Sequence, residues 1–310
     1  MKKWIIGLLA LVLIATACIY IFIPTELHIS QVTILRSSKN ASYRFLSEES
    51  NWKKWWPSDS PNKKDSFNYN GYQYQLLPKL TTDVDVLIRH DNLDLKSTIN
   101  ITPLVRDSIA IQWRCTMVSG SNPVSRIFRY NEATRVKKNM ADILEHFQTF
   151  MQNLDNVYGI HIDQTSTKDT LLICTKSQTS RYPTTADTYE LINKLRKFID
   201  VHGARQTGIP MRNITMMDSG VYQMMVAIPI DKFLEKKNEF FPNRLIPGQF
   251  LVAEVKGGQN SIDEAQRQIR LYMEEYKRLS MAIPFESLIT DRSIQPDTTK
   301  WVTKLFNPVF

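Results

Sequence analysis

The C-terminal half of this chain repeats one sequence pattern, and the repeat constrains the fold more than any other feature. Residues 208–218 are similar to residues 282–291, because each segment has Ile-Pro near its start and Asp at its end. An amphipathic helix pattern precedes each segment, and an apolar strand pattern follows it. Repetition on this scale predicts two copies of one supersecondary unit, each too small to bury its apolar face alone.

Each copy is predicted to run strand, helix, strand, strand. The predicted helices are 186–202 and 262–279, and the flanking strands are 171–176, 221–229, 249–255 and 301–308. Two such copies related by a pseudo-twofold axis make one antiparallel sheet with the helices on one side. The expected fold class of the chain is therefore α+β.

The second half also carries the motifs of a known family. Val-Lys-Gly-Gly at 255–258 is followed by a helix containing Tyr272, by Pro-Phe-Glu at 284–286 and by a closing strand at 301–309. On these motifs residues 157–310 resemble the GyrI-like, AraC-type effector-binding domain. The resemblance implies a cleft between the two halves that binds small, often lipophilic or cationic organic molecules. In transcription factors this domain is a sensor joined to a DNA-binding domain, and some stand-alone members hydrolyse small electrophilic compounds.

Two positions depart from the pattern of that family. Lys304 stands where members usually carry a Glu that contacts a cationic ligand, and Phe306 stands where they carry a Tyr. An ammonium group repels a cation, so these departures favour an anionic or neutral ligand. Glu286 is retained at the other acidic position, either as an acid inside the cleft or as a strand-end residue paired with a surface cation.

The resemblance and the aromatic content together indicate six candidate ligand-binding residues. They are Glu286, Lys304, Tyr222, Tyr272, Trp301 and Phe306. Ordinary core packing is the alternative for each aromatic member. If Glu286 and Lys304 both face the cleft, they form an ion pair, and the cleft then selects its ligand by shape rather than by charge.

An uncharged run of 20 residues, 4–23, follows Lys2 and Lys3 at the N-terminus. At about 1.5 Å per residue, a helix of this length covers about 30 Å, the thickness of a bilayer's hydrocarbon core. We therefore expect an uncleaved single-pass anchor at residues 1–24, with a cleaved signal peptide and a lipoprotein signal at Cys18 as alternatives. The two lysines favour a cytoplasmic N-terminus, so the rest of the chain is expected outside the cytoplasm, on the periplasmic side if the source is bacterial.

Residues 25–153 are expected to form a separate domain. The predicted strands are 27–35, 69–77, 82–89, 93–102 and 108–117, with a short helix at 41–49, a polar loop at 58–66 and a long helix from 123 to 153. Trp52, Trp55 and Pro57 match a Trp-x-x-Trp-x-Pro-like signature. With this motif and element order the segment resembles the START-like, polyketide-cyclase-like (SRPBCC) helix-grip fold, which implies a curved sheet around the terminal helix and an apolar cavity. The tryptophans fit either core packing or ligand contact.

The amino-acid composition limits which partners and which kinds of site are expected. The chain has 39 Lys and Arg against 31 Asp and Glu, a formal net charge of +8. This excess suits solvated faces beside a membrane, and DNA-recognition, zinc-finger and RNA-binding patterns are lacking, so no nucleic-acid partner is expected. Three cysteines provide neither a disulfide framework nor a cysteine-rich zinc site. No catalytic residue, metal site or cofactor is predicted.

The expected organisation is an anchor at 1–24, a START-like domain at 25–153 and a GyrI-like effector-binding domain at 154–310. The expected function is non-catalytic binding of a small apolar or amphipathic molecule by a protein held in the membrane through residues 4–23. A small-molecule hydrolase that uses Glu286 and a ligand-free scaffold or interaction protein are the alternatives.

Overall fold

The computed structural model describes residues 2–57, 67–78, 83–105, 107–217, 220–280 and 282–309. The predicted loop at 58–66, the first residue of the strand predicted at 82–89, and Asp218 lie outside these described residues. The chain is α+β, as predicted, and its described part contains seven α-helices and two antiparallel sheets. It divides into two compact units, Met1–Asn153 (unit 1) and Leu154–Phe310 (unit 2). The assignment of these units to known domain families stays a prediction.

The first helix, α1 (Lys2–Phe22), is long and apolar enough to cross a membrane. The window Lys3–Phe22 has a mean hydropathy of 2.8, and 0% of it is buried inside the structure. A signal sequence meets the same criterion, so this helix is compatible with the predicted anchor but does not fix which side of a membrane the rest of the chain occupies.

Unit 1 contains a six-stranded antiparallel sheet with the strand order β1-β6-β5-β4-β3-β2. Its strands are β1 (Glu26–Arg36), β2 (Phe67–Tyr69), β3 (Tyr72–Leu76), β4 (Val84–His90), β5 (Leu93–Pro103) and β6 (Ser108–Val118), and the helices after α1 are α2 (Lys39–Ser47), α3 (Glu49–Trp55) and α4 (Pro123–Gln152). The single strand predicted at 69–77 is wrong. Asn70 and Gly71 have φ angles of 50° and 80° and form the turn of a hairpin between β2 and β3, because Asn and Gly adopt positive φ most readily.

Aromatic rings fill the interior of unit 1. Helix α4 packs against β1 and buries Phe147, and Trp52 is fully buried and stacks on Trp56 with 4.7 Å between the ring centroids. Ile127 is an apolar residue of α4 but is 42% exposed. The inward position of that helical turn is taken by the buried Arg126, so the next residue points outward.

Unit 2 contains an eight-stranded antiparallel sheet with the strand order β11-β8-β10-β9-β13-β14-β12-β7. Its elements are α5 (Leu154–Tyr158), β7 (Asp163–Ser166), β8 (Thr170–Thr179), α6 (Thr185–Val201), β9 (Met211–Met216), β10 (Tyr222–Pro229), β11 (Phe241–Leu245), β12 (Gln249–Lys256), α7 (Gln259–Glu275), β13 (Phe285–Ser287), a 3-10 turn (Thr298–Lys300) and β14 (Val302–Val309). The predicted duplication is confirmed, because β8-α6-β9-β10 and β12-α7-β13-β14 occupy mirrored places in the strand order. Strands β7 and β11, which were not predicted, form the two edges.

The two long helices of unit 2 cover one face of its sheet, here called the helix face; the opposite side is the far face. Helix α6 packs on β10 and buries Val226, and α7 contacts β12 and β14. Arg212 of β9 donates hydrogen bonds to Thr188 of α6 and to Gln259 of α7, so both helices lie on the same side. Successive residues of a strand alternate between the two faces, which fixes the face of every other strand residue.

Candidate functional site

A cavity of about 520 Å³ lies on the far face of the unit 2 sheet. Met225 and Ala227 of β10 line it from the first copy, and Phe250 of β12 and Phe285 of β13 line it from the second. Residues 243–249, at the end of β11 and the start of β12, also contribute. The cavity is therefore built by both copies of the repeat.

The lining of this cavity is largely apolar, and several of its polar groups already have partners. Burial raises the pKa of the Cys174 thiol to about 12, so the thiol is neutral at pH 7 and acts as a small apolar group. Asn213 Nδ2 donates to the carbonyl oxygen of Pro284 at 2.9 Å, and Arg244 Nε donates to Asp169 Oδ1 at 2.6 Å. The surface that remains suits an apolar ligand better than a highly charged one.

The helix face carries a buried ion pair at the centre of the sheet. Arg212 of β9 lies directly opposite Glu286 of β13, and Arg212 Nη2 donates to Glu286 Oε2 at 2.6 Å. Their side chains are 2% and 13% exposed. The two residues are 74 positions apart, which is also the interval between Pro210 and Pro284 in the repeat. They are thus equivalent positions of the two copies and meet beside the pseudo-twofold axis.

A second arginine, Arg292, is buried on the same face. Arg292 Nη2 donates to Thr303 Oγ1 at 2.6 Å, and the guanidinium carbon lies 4.7 Å from the ring centroid of Trp301. Burial lowers the pKa of Arg292, and the positive charge of Arg212 lowers it further, whereas the Glu286 carboxylate opposes the change. Two guanidinium groups therefore repel each other across a region from which water is largely excluded.

Hydrogen bonds connect Arg212 to the protein surface. Arg212 Nη2 donates to Gln259 Oε1 at 3.3 Å, and Gln259 Nε2 donates to Tyr182 Oη at 3.0 Å. Tyr182 is 41% exposed, and its ring meets the ring of Tyr222 edge to face with 5.5 Å between the centroids. Tyr182, Gln259 and Tyr222 therefore stand between the buried arginines and solvent.

The six predicted ligand-binding residues do not come together in one place. Glu286 is on the helix face, whereas Lys304 is on the far face, because its neighbour Leu305 lies directly opposite Glu286. Lys304 Nζ is 3.3 Å from Glu254 Oε2, and both of these side chains are exposed. Glu286 and Lys304 therefore form no ion pair with each other, since they point to opposite sides of one sheet.

The aromatic candidates are also dispersed. Trp301 lies under the second buried arginine and Tyr222 against Tyr182, while Tyr272 stacks on Tyr276 with 4.4 Å between the centroids. Phe306 stacks on Phe285, a ring that lines the cavity, at 4.7 Å. None of the six is itself among the described residues that line the cavity. Their role as ligand contacts stays a prediction.

Sequence reasoning missed both buried arginines. The repeat carried a usable signal for one of them, because aligning the two copies at Ile-Pro places Arg212 at the position of Glu286. Arg292 follows Asp291 at the end of the second copy, and no pattern in the sequence indicated that it is buried. In the described ranges, no group of three or more His, Cys, Asp and Glu side chains is arranged to hold a metal ion.

No protein family's sequence profile matches the chain, and no curated protein sequence matches it. Solved structures do match. EcmrR in a DNA complex is 14% identical, with a TM-score of 0.45, over 60% of this chain and 71% of EcmrR, and the separate EcmrR C-terminal domain is 13% identical, with a TM-score of 0.43, over 49% and 98%. SAV2435 bound to tetraphenylphosphonium is 14% identical (TM-score 0.33; 49% and 94% covered), and a hydrolase from Listeria innocua is 8% identical (TM-score 0.38; 48% and 91% covered).

The structural neighbours are thus proteins of the effector-binding type, and identities of 8–14% do not transfer a ligand or an activity to this chain. They do correct one expectation. The absence of a nucleic-acid partner was inferred from missing recognition motifs, yet the match that covers 60% of this chain is to EcmrR in complex with DNA. That exclusion is therefore withdrawn. It failed because a domain without a DNA-recognition motif of its own can belong to a protein that binds DNA.

Proposed function

We propose that the protein is a membrane-anchored, non-catalytic binding protein that holds a small apolar or amphipathic molecule in the far-face cavity of unit 2. The observation that carries the proposal is the cavity itself, with a volume of about 520 Å³. Ligand pockets of proteins commonly have volumes of roughly 300–1,000 Å³ and are mostly apolar with a few polar groups that orient the ligand. Asn243 and Gln249 lie at the lining and are suited to that orienting role.

The contacts at the end of α1 support anchoring at the membrane. Arg126 Nη1 donates to the carbonyl oxygen of Ile23 at 2.6 Å, and its guanidinium carbon lies 4.4 Å from the ring centroid of Tyr20. Val124 and Phe128, in the first turns of α4, are 62% and 70% exposed. Apolar side chains beside the end of a membrane-spanning helix suit the interfacial region of the bilayer. We propose that this end of unit 1 faces the lipid surface on the extracytoplasmic side.

Membrane extraction and the N-terminal mass test this placement. The anchored protein should stay in the membrane fraction after alkaline carbonate extraction and should retain residues 1–24. Release into the supernatant, or a mature chain that begins after residue 17, contradicts the uncleaved anchor.

The START-like assignment of residues 25–153 remains a proposal. The packing of α4 against the antiparallel sheet supports it. The rings of Trp52, Trp55, Phe67 and Tyr74 pack with one another or with further rings in the interior of this unit. These contacts support core packing for the Trp-rich segment, and our ligand proposal concerns unit 2 alone.

The hydrolase alternative has less support from the geometry. Glu286 Oε2 accepts a hydrogen bond from Arg212 at 2.6 Å, and the carboxylate is 13% exposed, so a substrate water has little access to it. The Cys174 thiol has a pKa raised to about 12 and is therefore a poor nucleophile at neutral pH. The scaffold alternative predicts that no probe binds the cavity, which the following experiment decides.

A cavity-filling substitution tests the binding site. Met225 lines the cavity, whereas Gln223 lies two residues earlier on the same face of β10 and is not among the described lining residues. The full chain in phosphatidylcholine nanodiscs should bind the neutral apolar dye Nile red, with empty nanodiscs as the blank. Met225→Trp should weaken binding at least tenfold, and Gln223→Trp should leave it unchanged. Equal affinities for the two variants, or no binding by the parent chain, contradict the proposal.

A further inference from the structure

The buried charges on the helix face of unit 2 do not balance. Arg212 and Arg292 are 2% and 5% exposed, and the described carboxylate that acts on both of them is Glu286. Among the buried side chains two cations therefore face one anion, because the nearby Asp263, which accepts a hydrogen bond from Gln259 Nε2 at 2.9 Å, is exposed to solvent. The buried groups carry a surplus of one positive charge. Isolated buried charges are strongly unfavourable, so a surplus of this kind favours the entry of a counter-charge.

Both arginines also have hydrogen-bonding capacity that the described residues leave unused. The Nε atoms of Arg212 and Arg292 are buried and have no hydrogen-bond acceptor within the described part of the chain. A guanidinium presents five donors in a rigid fork that matches the two oxygens of a carboxylate. The unpaired Nε–H groups of the two arginines can therefore donate hydrogen bonds to an oxyanion, in addition to attracting it by their positive charge.

The groups around the arginines orient the guanidinium groups and add an apolar wall. Thr188 Oγ1 accepts a hydrogen bond from Arg212 Nη1 at 3.4 Å, and Thr303 Oγ1 accepts one from Arg292 Nη2 at 2.6 Å. The ring of Trp301 packs against one arginine, and the partly exposed Tyr182 and Gln259 stand where this cluster meets the surface. A ligand with an oxyanion at one end and a planar apolar body at the other fits this arrangement, because the arginines can bind the oxyanion and the aromatic rings can contact the apolar body.

We propose that Arg212 and Arg292, which together with Glu286 are here called the arginine cluster, bind the carboxylate of a small organic acid. A monoanion neutralises the surplus of one charge, whereas a phosphate dianion would replace a positive surplus with a negative one. The carboxylate accepts hydrogen bonds from the free Nε–H groups, and Tyr182 and Gln259 move aside to admit it. Arg212 is also among the residues that line the far-face cavity, whereas Arg292 and Glu286 are not, so this inference rests on the helix-face contacts and not on the proposed cavity ligand.

Benzoate and benzamide are the matched probes, because they have the same shape and differ by one negative charge. The full chain in phosphatidylcholine nanodiscs should bind benzoate by calorimetry and should bind benzamide at least tenfold more weakly. Arg292→Gln should weaken benzoate binding at least tenfold. Arg270→Gln removes the same charge from an exposed position of α7 and should leave benzoate binding unchanged.

Two further measurements keep the test independent of folding. Without ligand, Arg292→Gln should melt at the same temperature as the parent chain or higher, because it removes one of two repelling charges. Glu286→Gln raises the surplus to two charges, so benzoate should raise its melting temperature more than that of the parent chain. If Glu286→Gln does not fold, Arg292→Gln carries the test alone.

Three results would overturn the proposal. The first is equal binding of benzoate and benzamide, which would mean that the site does not distinguish a charged ligand from a neutral one. The second is unchanged benzoate affinity in Arg292→Gln, or an equal loss in Arg270→Gln. The third is the absence of benzoate binding, including the case in which inorganic phosphate binds instead. Failure of the Met225→Trp test in the far-face cavity leaves these results unaffected, so the two proposals fail separately.

Discussion

Replacing the two members of the central ion pair, singly and together, measures the charge imbalance of unit 2. Breaking a buried pair by removing one partner costs about 3–5 kcal/mol in the free energy of unfolding, because the other charge is left buried. Glu286→Met leaves two arginines without a carboxylate, whereas Arg212→Met leaves Arg292 and Glu286 with opposite charges. We therefore expect Glu286→Met at the upper end of this range and Arg212→Met at the lower end.

The double variant removes both charges and replaces them with apolar side chains. Such replacements are often neutral or stabilising, so the double variant should lose less than the sum of the single losses, with a coupling of at least about 2 kcal/mol. For a unit of this size each kcal/mol shifts the melting temperature by about 2–4 °C, so the single variants should melt about 6–20 °C lower.

Thermal unfolding of the full chain in nanodiscs gives these shifts. Hydrogen exchange of peptides covering β9 and β13 assigns the transition to unit 2. Lys304 and Glu254 are the matched control, because they form a cross-strand pair in the same sheet with 41% and 59% exposure. Their cycle should give a coupling of about 0–1 kcal/mol. The reasoning is refuted if the buried pair couples no more strongly than this exposed pair, or if Arg212→Met is the more damaging single variant.

Three further predictions concern other parts of the chain. Hydrogen bonding to Asp155, with the charge of Asp163, raises the pKa of His161 above 6.5. The interaction therefore stabilises the folded state below pH 6.5, and this stabilisation is lost as the pH rises through the folded pKa of His161. NMR titration should find the raised pKa, and Asp155→Asn should lower that pKa. Gly257→Ala should lower the melting temperature of unit 2, because Gly257 has φ of 131° and an added Cβ would lie 2.5 Å from Ser261 Oγ, whereas Gly220→Ala, with nothing within 4 Å, should lower it less. Burial raises the pKa of Cys115 and Cys174 to about 12, so peptide mapping should find both unmodified by N-ethylmaleimide at pH 7 until the protein unfolds; rapid labelling of the folded protein would contradict this.

The repeat in the sequence predicted the unit 2 fold well because it constrains many residues at once. Helix α6 runs from Thr185 to Val201 where the periodic pattern predicted 186–202, because Thr184 and Asp187 form a capping box that fixes its start. The edge strands β7 and β11 were not predicted. Strand β7 is exposed at all four positions and β11 shows no alternation of burial, so neither has an apolar pattern to recognise.

The site was harder to predict because strand pairing, and not spacing along the chain, decides which side chains meet. Glu286 and Lys304 are close in sequence, but β13 and β14 place them on opposite faces. Arg212 and Glu286 are 74 residues apart and in direct contact. The family comparison drew attention to a charge change at Lys304, whereas it did not include Arg212 and Arg292, the two buried arginines of unit 2.

The contact between Arg212 and Glu286 also records how the two halves of unit 2 became different. In a symmetric dimer of identical halves, the residues that meet at the axis are the same, so this position would bring together two arginines or two glutamates. Here equivalent positions hold opposite charges at a separation of 2.6 Å. Each half is therefore complementary to the other and repulsive toward a second copy of itself. A homodimer of either half in this geometry would bring two buried arginines or two buried glutamates into contact, so the charge pattern favours the pairing of two different halves in one chain.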